Sequence, residues 1–269
     1  MIELPMERSV AESYNPKLLI IGGKPKAGKS SFIASIDDNL IIDLEDGYRA
    51  LSVMKVQARS VSDLKEIKAA ILAKGKELQK APYRFITIDN ATRLEEMSLS
   101  LSAELYRSTP MGQSWGYVKD SHGIIMKDKS GQPVLDPKAD VRLLPNGSGY
   151  LYQRKAIRML LDMFKPLCET LILVTHVKDK AIKKDGEEVS EMSIDLAGKS
   201  GDIVCGEADA VGMIYREGNK TYLTFQGGEG TIREARSPHL RGKKFLVAES
   251  DENNNVKFDS SEIFLPINK

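Results

Sequence analysis

Eight residues carry the plainest chemistry in the chain. Gly23-Lys24-Pro25-Lys26-Ala27-Gly28-Lys29-Ser30 fits G-x-x-x-x-G-K-[ST] without a mismatch. A triphosphate tail packs several negative charges together. Backbone N–H groups can surround such a tail only where the chain curls tightly, and glycine permits that curl. The segment that follows reads as a helix opening, whose positive dipole end points at the same spot. In this pattern Lys29 reaches the β- and γ-phosphates and Ser30 offers a hydroxyl to Mg2+. Gly23, Lys24, Pro25, Lys26, Ala27, Gly28 and Ser31 complete the cradle.

A phosphate loop of this kind works with a second strand that ends in an acid and holds Mg2+ through water. "RFITIDNA" supplies one, with Asp89 as the metal-side acid. In "IIDLEDG", alternation sets Asp43 and Glu45 on one side of the chain. If that strand lies beside the strand of the phosphate loop, Glu45 reaches the γ-phosphate region and can orient or deprotonate the attacking water. "LILVTHV" ends in Thr175-His176. In open α/β folds a polar residue at that edge lies near bound ligand, so His176 can report the γ-phosphate to the loop after it. Hydrogen bonding to a neighbouring loop is the plainer role for the same side chain.

These groups need a scaffold, and the chain between them supplies strands and helices in alternation. Lys17–Gly22 is a continuous apolar run ending in glycine, as in a strand buried on both faces. Asn39–Gly47, Tyr83–Ala91 and Glu169–Val177 repeat that texture, and "MKVQA" reads as a short further strand. Helices are expected from Ser30 to about Ile36, after a cap at Ser60 or Ser62 with Leu64, Ile67, Ile71 and Leu78 inward, over about Thr92–Tyr106, and from near Tyr150 to about Phe164. The alternation predicts a mainly parallel sheet with helices on both faces. "VGMIYREGNKTYLTFQ" reads as a hairpin turning at Gly218-Asn219, adding antiparallel strands at one edge. Between about Ser108 and Gly149 no period holds, which predicts a long insertion or functional loop. The chain shows no internal repeat and no low-complexity tract.

Bulk composition narrows the class. Among 269 residues, 39 Lys and Arg stand against 38 Asp and Glu, so any basic surface must be local. The two cysteines, Cys168 and Cys205, form no CxxC pair, which speaks against a metal knuckle and for reduced thiols in a cytoplasmic setting. No run approaches the length of a membrane span. "MIELPMERSVAESYNP" has acids, a proline and no apolar run, and reads as an irregular leader over residues 1–16 rather than a secretory signal.

Taken in order, "GGKPKAGKSS", "IIDLEDG", "FITIDNATRLEE", "LILVTHVKDK" and "EADAVGMIYR" resemble the RecA-like P-loop ATPases. More narrowly the chain is similar to phage-encoded nucleotide-binding ATPases of DNA recombination, the Sak-type single-strand annealing group. The resemblance implies an α/β, RecA-like P-loop NTPase fold over residues 17–269, with an insertion at about 108–149. It implies ATP and Mg2+ as ligands, Lys29 and Ser30 as phosphate and magnesium residues, Glu45 as the water-activating acid and Asp89 as the Walker B acid. It also implies single-stranded DNA, a single-strand DNA-binding protein and further copies of the chain in a ring or filament as partners, with no membrane. In such assemblies a neighbour completes the ATP site with a basic residue, for which Arg216, Lys220, Arg233 and Arg236 are the candidates here. The Thr-His end of the sensor strand departs from the glutamine usual in RecA recombinases.

In an assembly of that kind the segment after His176 faces the centre. It carries Lys178, Lys180, Lys183 and Lys184, whose charges suit sequence-tolerant binding to backbone phosphates. Trp115, with Lys119, Lys127 and Lys129 nearby in sequence, offers a stacking surface for a base. Lysine runs are more often solvated faces, and a lone tryptophan is more often packed. Three functions stay open at this point: a DNA-dependent ATPase, an ATP-gated single-strand annealing protein with little hydrolysis, and a P-loop small-molecule kinase. The kinase ranks last, since kinase lids are rich in arginine and the 108–149 segment holds only Arg142.

Overall fold

The computed structural model describes residues 6–8, 10, 12–184, 187–228, 232–252 and 255–266, without the side chains of 180–191. In chain order the elements are β1 (Leu18–Gly22), α1 (Lys29–Ala34), β2 (Asn39–Asp43), β3 (Met54–Gln57), α2 (Val61–Leu78), β4 (Phe85–Asp89), α3 (Ala91–Arg107), α4 (Gly149–Phe164) and β5 (Thr170–Thr175). There follow β6 (Val177–Lys184), β7 (Glu187–Ile194), α5 (Ser200–Glu207), β8 (Ala210–Glu217), β9 (Lys220–Thr224), β10 (Glu234–Ala235), β11 (Lys244–Ser250) and β12 (Val256–Phe258).

Among the described residues ten strands form one sheet, ordered β12-β11-β9-β8-β1-β5-β4-β2-β3, with β10 beside β8. The six strands from β8 to β3 run parallel. β9, β10, β11 and β12 join antiparallel at the β8 edge. The expected hairpin is β8–β9, turning through Gly218 at φ 60°.

Apolar runs such as Leu18-Leu19-Ile20-Ile21 form central strands because both faces of this sheet are covered. Leu18 and Ile20 enter the core shared with Leu64, Ile67, Leu94, Ile157 and Val204, beneath α2, α3, α4 and α5. Leu19 and Ile21 enter the opposite core with Phe32 and Ile33 of α1 and with Leu240, Val247 and Ile263 from the C-terminal third. α2 starts at Ser60, whose hydroxyl accepts from the Asp63 N–H at 3.1 Å while the Asp63 carboxylate accepts from the Ser60 N–H at 3.1 Å. Leu78, expected inward, is exposed because it sits on the last turn.

One element goes beyond the sequence reading and one expectation is corrected. The polar stretch after His176 is the β6–β7 hairpin, a separate two-stranded sheet. The segment near residues 117–139 is built on a repeat of eight residues. The Val118, Met126 and Val134 N–H groups donate in a ring, to the carbonyls of Val134, Val118 and Met126 respectively, each at 2.9 Å. Two residues after each of these stands Asp120, Asp128 or Asp136, and each carboxylate closes its own turn on the backbone N–H two residues ahead. Gly123 and Gly131 take positive φ in two of the turns, and Ala139 holds the third equivalent place. Side-chain identity is otherwise free to vary, so only a sparse Asp-x-x-Gly signal marks the repeat.

Candidate active site at the carboxyl edge of the parallel sheet

The site forms where β1, β4 and β5 end. Gly28 joins the phosphate-loop segment to α1 with φ 102°, a conformation that a Cβ strains. A Cβ on Gly23 would stand 2.7 Å from the Ile214 carbonyl oxygen, so this loop lies flat on β8 only with glycine there. The Ala27 N–H bonds the Lys24 carbonyl at 3.2 Å and tightens the curl.

Lys29 is the first residue of α1 and is buried. Its ammonium donates to the Gly23 carbonyl at 2.8 Å and the Lys24 carbonyl at 2.9 Å, with His176 Nδ1 3.4 Å away. Burial lowers its pKa, and the negative fields of Asp89 and Glu45 oppose that shift. Lys29, His176, Asp89 and Glu45 line one cavity of about 460 Å3, shared with Gly28, Ser30, Ser31, Asp43, Tyr48, Asn90 and Arg216. The loop, the acid-ended strands and His176 therefore converge, as the sequence suggested. One premise does not hold: β2 is not the neighbour of β1, because β5 and β4 stand between them. Glu45 reaches the cavity all the same, since the turn after β2 folds back over the strand ends.

The acids differ in environment. Asp89 is drawn up to about 6, chiefly by burial, while the Tyr48 hydroxyl donating to its Oδ2 at 2.6 Å pulls the other way. Asp43 is buried, and its Oδ1 accepts from the Glu45 N–H at 3.1 Å and the Gly47 N–H at 3.2 Å. It thereby shapes the turn that carries Glu45. Asp43 Oδ2 has no hydrogen-bond partner, and the Lys55 ammonium lies 3.8 Å from it. Asn90 caps α3 by accepting from the Arg93 N–H at 3.0 Å.

This donor set fits magnesium. One hydroxyl and carboxylate oxygens are hard ligands, and Mg2+ commonly takes one or two protein oxygens plus phosphates and water. The orphaned buried oxygen of Asp43 suits a hydration-shell water. Among the described residues no group of three or more His, Cys, Asp or Glu forms a metal cage. Tyr48 is the residue sequence reasoning missed here, and Arg216 was named but given another place. Tyr48 follows "DLEDG" with no motif of its own, and Arg216 was expected to serve a neighbouring subunit rather than line its own cavity.

The remaining candidates scatter. Lys178 stands at the hairpin base, donating to the Leu196 carbonyl at 2.7 Å and paired with Asp195 at 3.1 Å. Lys180, Lys183 and Lys184 lie on β6 with side chains outside the described residues. Trp115 is half-buried and meets Tyr106 edge-on at 5.3 Å, which uses part of its stacking surface. Lys220 pairs with Glu249 and Arg236 with Asp209, whereas Arg233 lines a second cavity of about 470 Å3 behind the phosphate loop. Cys168 and Cys205 are free thiols pushed up by burial to about 11 and about 12. Among the described residues no helix is long and apolar enough to cross a membrane.

Comparison with known proteins adds three findings. The family model described as an AAA domain matches residues 15–237. No curated protein matches the chain. Among solved structures, a crystal structure of the RadB recombinase is similar over 92% of this chain and 93% of that one, at 11% identity and a TM-score of 0.41.

Proposed function

Because the chain belongs to the AAA domain family, a family of P-loop ATPases, we propose that it binds and hydrolyses Mg2+-ATP and uses that cycle on single-stranded DNA in recombination, annealing or repair. One observation carries the ATPase reading: a buried lysine ammonium and two carboxylates, Asp89 and Glu45, meet in one cavity under a glycine-bent loop. In this reading Lys29 and the loop hold the β- and γ-phosphates. Ser30 and Asp89 hold Mg2+, which when bound polarises the γ-phosphate. Glu45 orients the attacking water and accepts its proton. His176, beside Lys29, senses whether the γ-phosphate is there and leads straight into the β6–β7 hairpin. Arg216 lines the cavity and adds positive charge from the same chain.

The DNA assignment rests on the motif resemblance and on Lys178, Lys180, Lys183 and Lys184 of the hairpin, with Trp115 as a stacking candidate. The hairpin span 177–194 holds those four lysines against five acids, so its attraction for phosphate depends on which side chains face outward. Assembly into a ring or filament, a single-strand DNA-binding partner, a phage origin and a cytoplasmic site of action belong to the same proposal. The two free thiols agree with a reducing compartment.

Phosphate release from ATP, with and without single-stranded DNA, tests the reading. Magnesium-dependent hydrolysis that rises with DNA and is lost in Glu45→Gln is expected. Phosphate transfer to a nucleoside instead would return the kinase reading. Replacing both Lys183 and Lys184 with Glu is expected to weaken DNA binding and spare ATP binding. Unchanged DNA affinity at low salt refutes the hairpin assignment alone.

A further inference from the structure

A residue outside every motif stands at the centre of this site. Tyr48 is 1% exposed, in the same apolar core as Phe32, Ile33, Leu19 and Ile21. A phenol this deep needs a partner for its hydroxyl. The hydroxyl donates to Asp89 Oδ2 at 2.6 Å, and Ser30 at the start of α1 lines the same cavity. Tyr48 thus joins α1, the turn after β2 and the end of β4. Burial and the adjacent carboxylate push its pKa far above the ordinary tyrosine range, so it stays a donor at any working pH.

Asp89 lies in competing fields. Lys29 attracts it, while Glu45 and Asp43 repel it. An unrestrained carboxylate would swing toward the ammonium and neutralise the charge a phosphate needs. A neutral, rigid donor fixes it without adding charge.

We propose that Tyr48 is a positioning residue that holds one oxygen of Asp89 away from the Lys29 ammonium and leaves the other to the hydration shell of the magnesium ion. The inference rests on the Mg2+-ATP reading of this cavity. Partners that orient a metal ligand are typically worth about tenfold to a hundredfold in metal affinity. Tyr48→Phe keeps the ring that fills the core and removes one oxygen.

The test is titration of a fluorescent ATP analogue, first with chelator and then with increasing Mg2+. Tyr48→Phe is expected to match the wild type without metal and to need about tenfold more Mg2+ for half-maximal tightening. In hydrolysis at fixed Mg2+, KM for ATP rises in step with the weaker metal binding. In an Asp89→Asn background, Tyr48→Phe is expected to change the Mg2+ requirement by less than about twofold, since its effect runs through that carboxylate. A wild-type Mg2+ requirement in Tyr48→Phe overturns the inference, as does an equal loss in both backgrounds. Should Tyr48→Phe fail to fold, 3,5-difluorotyrosine at position 48 keeps ring and hydroxyl. It must hold the wild-type requirement or better, and a tenfold weakening there also overturns the inference. If the wild type itself binds no analogue with or without Mg2+, the ATP reading falls instead.

Discussion

The phosphate loop and the 117–139 segment are both backbone curls closed by their own hydrogen bonds, yet they are fastened to the molecule in opposite ways. The loop lies between β1 and α1, pressed on Ile214 of β8, with its lysine reaching back to Gly23 and Lys24. Its side chains are held by elements far apart in sequence. The other segment satisfies itself: a ring of three backbone bonds and three aspartates that each close the turn beside them. A change in the first must move the site. A change in the second stays where it is made. Chemistry demands fixed geometry in a dry setting, which only long-range packing provides, while a self-closed turn needs little from the core.

Four substitutions probe that contrast. Glu45→Gln should have the largest effect, lowering the hydrolysis rate by about 10²- to 10⁴-fold, the usual worth of a general base. Single-turnover phosphate release measures it, and nucleotide affinity should stay put. Lys29→Ala should weaken nucleotide binding by about a hundredfold, from loss of charge-assisted bonds, as equilibrium titration will show. Gly28→Val should lower stability by about 1–3 kcal/mol through the forbidden backbone region, with a further clash where a Cβ meets the Phe258 ring at 3.0 Å. Chemical denaturation reports the first and loss of nucleotide binding the second. Asp128→Ala should have the least effect. Its Oδ1 accepts from the N–H of Ser130 at 2.8 Å and of Gln132 at 2.9 Å, in an exposed turn. Its removal should cost about 1 kcal/mol and leave nucleotide affinity within error. A large loss of affinity in Asp128→Ala would erase the distinction between the two curls.

Much of this was legible from local order. The cradle from Gly23 to Ser31 could be read because phosphate binding by backbone imposes a contiguous pattern. β1, β4 and β5 could be read because a strand covered on both faces must be apolar throughout. Asp89 and His176 followed as the polar residues where those runs stop. The Asp-closed repeat was present in the sequence but hidden, since three backbone bonds do its work and leave the side chains free. β11 and β12 were missed because antiparallel strands with one covered face carry a weak, mixed pattern, and β12 at the edge is only 3 residues long.

The sequence by itself determined the phosphate loop, the identity of the acids and the parallel alternation, because each follows from neighbours along the chain. Only the tertiary structure decided that β5 and β4 separate β2 from β1, that Glu45 nonetheless arrives over the cavity, and that Tyr48 grips Asp89. The reason is physical. Strand order and the meeting of side chains 41 positions apart are fixed by how helices pack across the two faces of the sheet, and no short stretch of sequence encodes that.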